Sequence, residues 1–168
     1  MKVLMVIAQN GFRDEEFFEP RDVLIKAGIE VKVASEEVGM ARGKLGGTVM
    51  PDLTIGGAEV DDFAAVIFVG GQGTVVYLDD PAAHKLAKDF FAAGKIVAAI
   101  CMAPSILANA GLLRGKRATC TPGEVENLKA HGVNFQDAAV VVDDKIITAC
   151  GPEAARQFGE KIVELLKK

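Results

Sequence analysis

Three apolar runs mark the chain: "KVLMVIA" (2–8), "AAVIFVG" (64–70) and "KIVAAIC" (95–101). Each is continuous rather than alternating. That is the pattern of strands buried on both faces in a parallel sheet covered by helices. Helix-like stretches separate them. "DEEFFEPRDVLIKAG" opens on acidic residues and closes at Gly28, a C-terminal cap. "DDPAAHKLAKDFFAAG" offers Asp80 as N-cap, Pro81 at the first helical position and Gly94 as stop. "TPGEVENLKAHG" begins with a Thr-x-x-Glu capping box, Thr121 to Glu124. In "GPEAARQFGEKIVELLKK", Ala155, Phe158, Ile162, Leu165 and Leu166 recur at helical spacing.

Two segments interrupt this alternation. "GKLGGTVMPDLTIGG" (43–57) is Gly-rich and predicts an excursion of short strands. "AVVVDDKIITA" places two β-branched runs around Asp143-Asp144-Lys145, a hairpin signal. No repeat or linker divides the chain, so residues 1–168 are expected to form one α/β three-layer sandwich, helices on both faces of a mostly parallel sheet. In such sheets ligands bind beyond the carboxyl ends of the strands. That rule points to Ala8–Gly11, Gly70–Gly73, Cys101, Cys120–Thr121 and Cys150–Gly151.

Composition narrows the classes. The 168 residues are 50% hydrophobic and 25% charged, a globular balance. A net charge of −4 gives nucleic acid or an anionic membrane no reason to bind. The opening apolar run is too short to span a bilayer, and no cleavage site follows it. Three scattered cysteines make no disulfide framework, so a reducing, cytoplasmic setting is expected. Cys and His do not cluster with ligand spacing, so no metal or cofactor is expected.

Candidate chemistry centres on Cys101. A direct strand-to-helix turn strains the residue at its apex and demands small neighbours two positions away. Here those neighbours are Ala99 and Ala103. A sulfur at a helix N-terminus faces free N–H groups, which lower a thiol pKa. The alternative is a packing cysteine, since free Cys is among the most buried residues. Gly70 and Gly71 follow a strand, and a backbone N–H there could form half of an oxyanion hole, with the Met102 N–H as the other half. Glu16 lies four residues before Pro20, which has no N–H for the Glu16 carbonyl. A helix disturbed at that turn would push the Glu16 carboxyl toward the cleft. Asp14, Glu15 and Glu19 read as an ordinary acidic first turn. His84 and His131 fall on helices away from the site and read as solvated surface residues. Cys120 and Cys150 sit at strand ends; they are either resolving thiols near Cys101 or buried packing residues.

Taken together, "MKVLMVIAQNGF", "VIFVGGQG", "AAICMAPSILANAGLLRGKRAT", "TPGEVENL" and "IITACGPEAARQFGEKIVELL" resemble the ThiJ/PfpI superfamily over essentially the whole chain. The resemblance implies a flavodoxin-like sandwich with a nucleophile elbow, the fold type of class I glutamine amidotransferases. It also implies a homodimer or, in some branches, a hexamer. It carries a reactive cysteine onto Cys101, a glutamate onto Glu16 and oxyanion amides onto Gly71 and Met102, with Ala99, Ala103 and Gly70 supporting the elbow. Peptidase-like members have His where this chain has Met102. Deglycase-type members have a small residue there and are the nearer pattern. Thr121 stands in place of a site-facing histidine, and Cys150 in place of an arginine.

The activity so implied is cofactor-free glyoxalase or deglycase chemistry on small 2-oxoaldehydes, through a Cys101 hemithioacetal. An oxidation-sensing or protein-stabilising role for Cys101 is the alternative. A peptidase would need a histidine from a neighbouring subunit.

Overall fold

The computed structural model describes residues 1–168. The chain opens with β1 (Lys2–Val6), β2 (Asn10–Phe12), α1 (Asp14–Lys26) and β3 (Glu30–Ser35). The Gly-rich excursion follows as β4 (Ala41–Gly43), β5 (Thr48–Val49) and β6 (Leu53–Thr54). Next come β7 (Ala65–Phe68), α2 (Pro81–Ala92), β8 (Ile96–Ile100), α3 (Pro104–Asn109) and β9 (Arg117–Ala118). The remainder is α4 (Val125–Ala130), β10 (Asn134–Phe135), the β11–β12 hairpin (Val140–Asp143, Ile146–Ala149) and α5 (Ala155–Leu166).

The seven-stranded sheet has the order β11-β12-β8-β7-β1-β3-β6. Only the β11–β12 pairing is antiparallel. The continuous apolar runs are its centre, and their burial explains the missing alternation. In β1, Leu4 and Val6 join one core cluster with Phe68, Phe90 and Ile106, while Val3 and Met5 join another with Phe17, Phe158 and Ile162. Each face is therefore closed by helices: α2 and α3 on one side, α1 and α5 on the other. No helix is long and apolar enough to cross a membrane.

Several local expectations hold. Asp80 caps α2 by accepting from the Ala83 N–H, and Gly28 and Gly94 take the left-handed conformation after their helices. Others are corrected. Helix α1 is continuous across Pro20, which is buried. Gly159 of α5 is bare where a Cβ would lie 2.9 Å from Pro20 Cα, so the two helices pack closely there. The Thr121–Glu124 capping box does not form. Thr121 makes no side-chain cap, and Glu124 Oε1 instead accepts from Ser105 Oγ at 2.6 Å. Nor does a helix start at Met102: residues 101–103 form a turn, and the six-residue α3 begins at Pro104.

Chain order reverses beside β1: β3 lies on one side and β7 on the other. The loops leaving β1 and β7 pack against each other beyond the carboxyl end of the sheet, where such folds place their ligands. Arg13 N–H donates to Gly70 O at 2.9 Å, and a Cβ at Gly71 would lie 2.6 Å from Gly11 O.

Candidate active site

Cys101 follows β8 directly and takes φ +65°, one of two non-glycine residues with positive φ. Such a conformation costs on the order of 1–3 kcal/mol and must be imposed by its surroundings. Backbone bonds impose it from both sides. Cys101 N–H donates to Ala149 O at 2.9 Å, and Thr121 N–H donates to Cys101 O at 2.9 Å. Ala99 and Ala103 are fully buried, as an elbow requires of its small neighbours.

Gly70 brings the cysteine and the carboxyl together. A Cβ at Gly70 would lie 2.5 Å from Ile100 O, 2.6 Å from Glu16 Oε1 and 2.7 Å from Cys101 Cβ. Only a bare Cα leaves room for all three. Gly71 has φ +114°, and a Cβ there would lie 2.5 Å from Arg13 N. The Gly71 and Met102 N–H groups donate to no protein oxygen.

Glu16 is fully buried, and neither carboxyl oxygen meets a protein N–H or O–H; the Cys101 thiol is the one group close enough to bond to it. It points inward by helical phase: Glu16, Pro20 and Leu24 share the buried face of α1. The expectation that Pro20 would distort the helix to deliver it is therefore wrong, although the residue chosen does lie beside Cys101. Burial raises the Glu16 pKa to about 7. Burial, and next the Glu16 carboxylate, push the Cys101 thiol up to about 12. The expected acidic cysteine is thus overturned. The following helix is short and starts three residues on, while burial and a neighbouring carboxylate oppose the thiolate. Two influences favour the sulfur anion, the Thr121 hydroxyl and the Met102 N–H. The two groups titrate as a pair that gives up one proton far more readily than two.

The pocket in front of the sulfur is about 240 Å³ and is lined by Arg13, Lys44, Gly71, Gln72, Cys101, Met102, Thr121 and Pro152. Gly71, Cys101, Met102 and Thr121 therefore converge as expected. Cys120 and Cys150 do not line it. Both face an adjacent cavity with Phe135 and Val125, and the Cys150 thiol donates to Glu153 Oε1 at 3.4 Å. Neither histidine lines the pocket. Each is half-buried rather than solvated, with a ring nitrogen against a backbone carbonyl: Leu78 O for His84 and Asn127 O for His131.

Gln72 lies within the expected Gly70–Gly73 segment, whereas Arg13, Lys44 and Pro152 were not legible as site residues. Arg13 precedes α1 and pairs with Glu15 Oε2 at 2.9 Å. Lys44 arrives through Asp14, which is no idle first-turn acid. Asp14 Oδ1 accepts from Leu45 N–H at 2.8 Å and Oδ2 from Gly47 N–H at 2.7 Å. The pattern Gly-Lys-x-Gly-Gly was the one available signal. A Cβ at Gly43 or Gly47 would lie within 2.7 Å of that carboxylate.

Comparison with known proteins bears on this geometry. The DJ-1/PfpI family profile matches residues 1–165. The chain is 37% identical to Deglycase PH1704 of Pyrococcus horikoshii over 99% of its own length and 100% of that protein. It is 27% identical to the glutathione-independent glyoxalase DJR-1.2 of Caenorhabditis elegans, over 98% of this chain and 88% of that one. Among solved structures, a ThiJ/PfpI domain protein from Brachyspira murdochii superposes with a TM-score of 0.97 at 36% identity. The match covers 99% of this chain and 96% of that one.

Proposed function

This chain belongs to the DJ-1/PfpI family, and on that premise we propose that it is a cofactor-independent enzyme of glyoxalase or deglycase type. Its substrates would be small 2-oxoaldehydes or the adducts they form. One observation carries the reading: a fully buried carboxyl that meets no protein N–H or O–H, beside the thiol of a cysteine held at positive φ. A buried carboxyl so thinly partnered is costly unless it works on a bound group. The relatives named deglycase and glyoxalase support the reaction class.

The mechanism follows from the pair. In its singly deprotonated form, one tautomer is thiolate beside carboxylic acid. The Cys101 sulfur adds to the aldehyde carbon of methylglyoxal, and Glu16 gives its proton to the new alkoxide, leaving a hemithioacetal. The Glu16 carboxylate then takes the proton from that carbon, exchanges it with solvent while the enediolate lasts and delivers a proton to the neighbouring carbon, as the hydroxyl proton passes to the neighbouring oxygen. The free Gly71 and Met102 N–H groups would hold the enediolate oxygen between these transfers. A Cys101 thioester of lactate remains, and water releases lactate and the free thiol. Overall, methylglyoxal and water give lactate. No histidine is needed, because the carboxyl serves as acid and then as base. A homodimer is carried over from the family resemblance.

The purified protein is expected to convert methylglyoxal to lactate without glutathione or added metal, with a rate that rises through pH 7 as the pair loses its first proton. An absence of lactate above the protein-free rate would remove the proposal.

A further inference from the structure

We propose that the Cys101 pocket carries an anion subsite formed by Arg13 and Lys44, and that its preferred substrates are 2-oxoaldehydes bearing a carboxylate. This rests on the glyoxalase reading but goes beyond it, because methylglyoxal is neutral and its conversion uses neither cation. The lining supports the assignment. Two cations and the Gln72 amide face the cavity, while no acidic residue lines it. Three acids lie nearby: Glu16 sits buried behind Cys101, outside the lining, and titrates with the thiol. Glu15 accepts from Arg13 through Oε2 alone, at 2.9 and 3.0 Å. Glu153 lies in the adjacent cavity against the Cys150 thiol.

Both cations retain donors for a ligand. Arg13 commits Nε and Nη2 to Glu15, which leaves Nη1 free on a guanidinium suited to carboxylates. Lys44 has no carboxylate within ion-pair distance and is exposed on the pocket rim. Its position is nonetheless built. Its own N–H donates to Phe12 O at 2.9 Å, and Gly43 N–H donates to Gly47 O at 2.7 Å. The buried Asp14 fixes the next turn through Leu45 and Gly47. An exposed lysine is ordinarily a solvated surface group. Here a buried carboxylate and glycines with no room for a side chain hold its backbone at the pocket mouth.

The volume agrees with a substrate larger than methylglyoxal. About 240 Å³ is roughly eight liquid-water volumes, room for a five-carbon acid with its aldehyde at sulfur and its carboxylate at the rim. For 4,5-dioxopentanoate the balanced reaction is addition of one water to give 2-hydroxyglutarate, by the same proton transfers.

Two arms test the subsite. In the first, kcat/KM for 4,5-dioxopentanoate is compared with that for 2-oxopentanal, its neutral counterpart. The native ratio is expected to be about tenfold or more at low salt and to shrink as salt rises. Lys44→Gln and Arg13→Gln should each lower it several-fold. A native ratio near one, or one that neither substitution changes, overturns the proposal while the glyoxalase reading stands. The second arm needs no turnover. Cys101 is alkylated with iodoacetate and with iodoacetamide, and its peptide is followed by mass spectrometry. The iodoacetate-to-iodoacetamide rate ratio should exceed that of the urea-unfolded chain and fall in Lys44→Gln. If that holds while neither aldehyde is turned over, the subsite stands and the glyoxalase reading falls. A ratio no higher than in the unfolded chain overturns the subsite.

Discussion

Cys101→Ser is expected to lower kcat/KM for methylglyoxal at least ~1000-fold, with the fold intact. Serine keeps the size and the backbone demand of the elbow, so stability should change by less than about 1.5 kcal/mol. What it loses is the nucleophile. A buried hydroxyl ionises far less readily than a thiol, and this site has no histidine to take its proton. The control is Cys120→Ser, which alters a thiol of the adjacent cavity. Lactate formation and thermal melting, measured on both variants, check the claim. A Cys101→Ser protein within tenfold of the native rate would exclude Cys101 as the nucleophile.

Glu16→Gln should separate reactivity from turnover. Turnover is expected to fall by about 10²–10⁴, the usual worth of a positioned acid–base group. Alkylation of Cys101 by iodoacetamide at pH 8 should become faster, because the Glu16 carboxylate is one of the causes that raise the thiol pKa. Stability should move as well. The carboxyl's ordinary value is 4.5, and burial raises it to about 7 in the folded protein. Between these values the unfolded chain is ionised while the native state keeps its proton. The stability tied to the protonated carboxyl is complete below pH 4.5 and is lost as pH rises to 7. That loss is about 3 kcal/mol, and glutamine does not suffer it. Urea unfolding at pH 5 and pH 8 should show the variant gaining on the native protein by about 2–3 kcal/mol. Parallel stabilities at both pH values, or turnover within threefold of native, would contradict the role given to Glu16.

These expectations show what the sequence carried and where it ran out. The central strands were legible because burial on both faces leaves a run such as "KIVAAIC" no polar position. The elbow was legible because Ala99 and Ala103 answer a steric demand that acts within five residues. Glu16 was found for the wrong reason. Helical phase against Pro20 and Leu24 would have sufficed, and no distortion was needed. The acidity of Cys101 was misjudged because local helix electrostatics can be read from sequence, whereas burial and an approaching carboxylate from α1 cannot. The Thr121 capping box failed because Ser105, on another element, claims Glu124. Lys44 was invisible for a similar reason. Its place at the pocket depends on Asp14, which grips Leu45 and Gly47 from 31 and 33 residues away.

Passage of the carbon-bound proton through Glu16 is the step that binds these observations together. It is tested most directly by running the methylglyoxal reaction in D2O with protein already equilibrated in that solvent, and reading lactate by proton NMR. Transfer through an exchangeable carboxyl places deuterium at C2 of lactate above the protein-free background. Lactate that keeps only the substrate's own hydrogen at C2 would contradict passage of the proton through an exchangeable Glu16 carboxyl, and with it the role assigned to the Cys101–Glu16 pair.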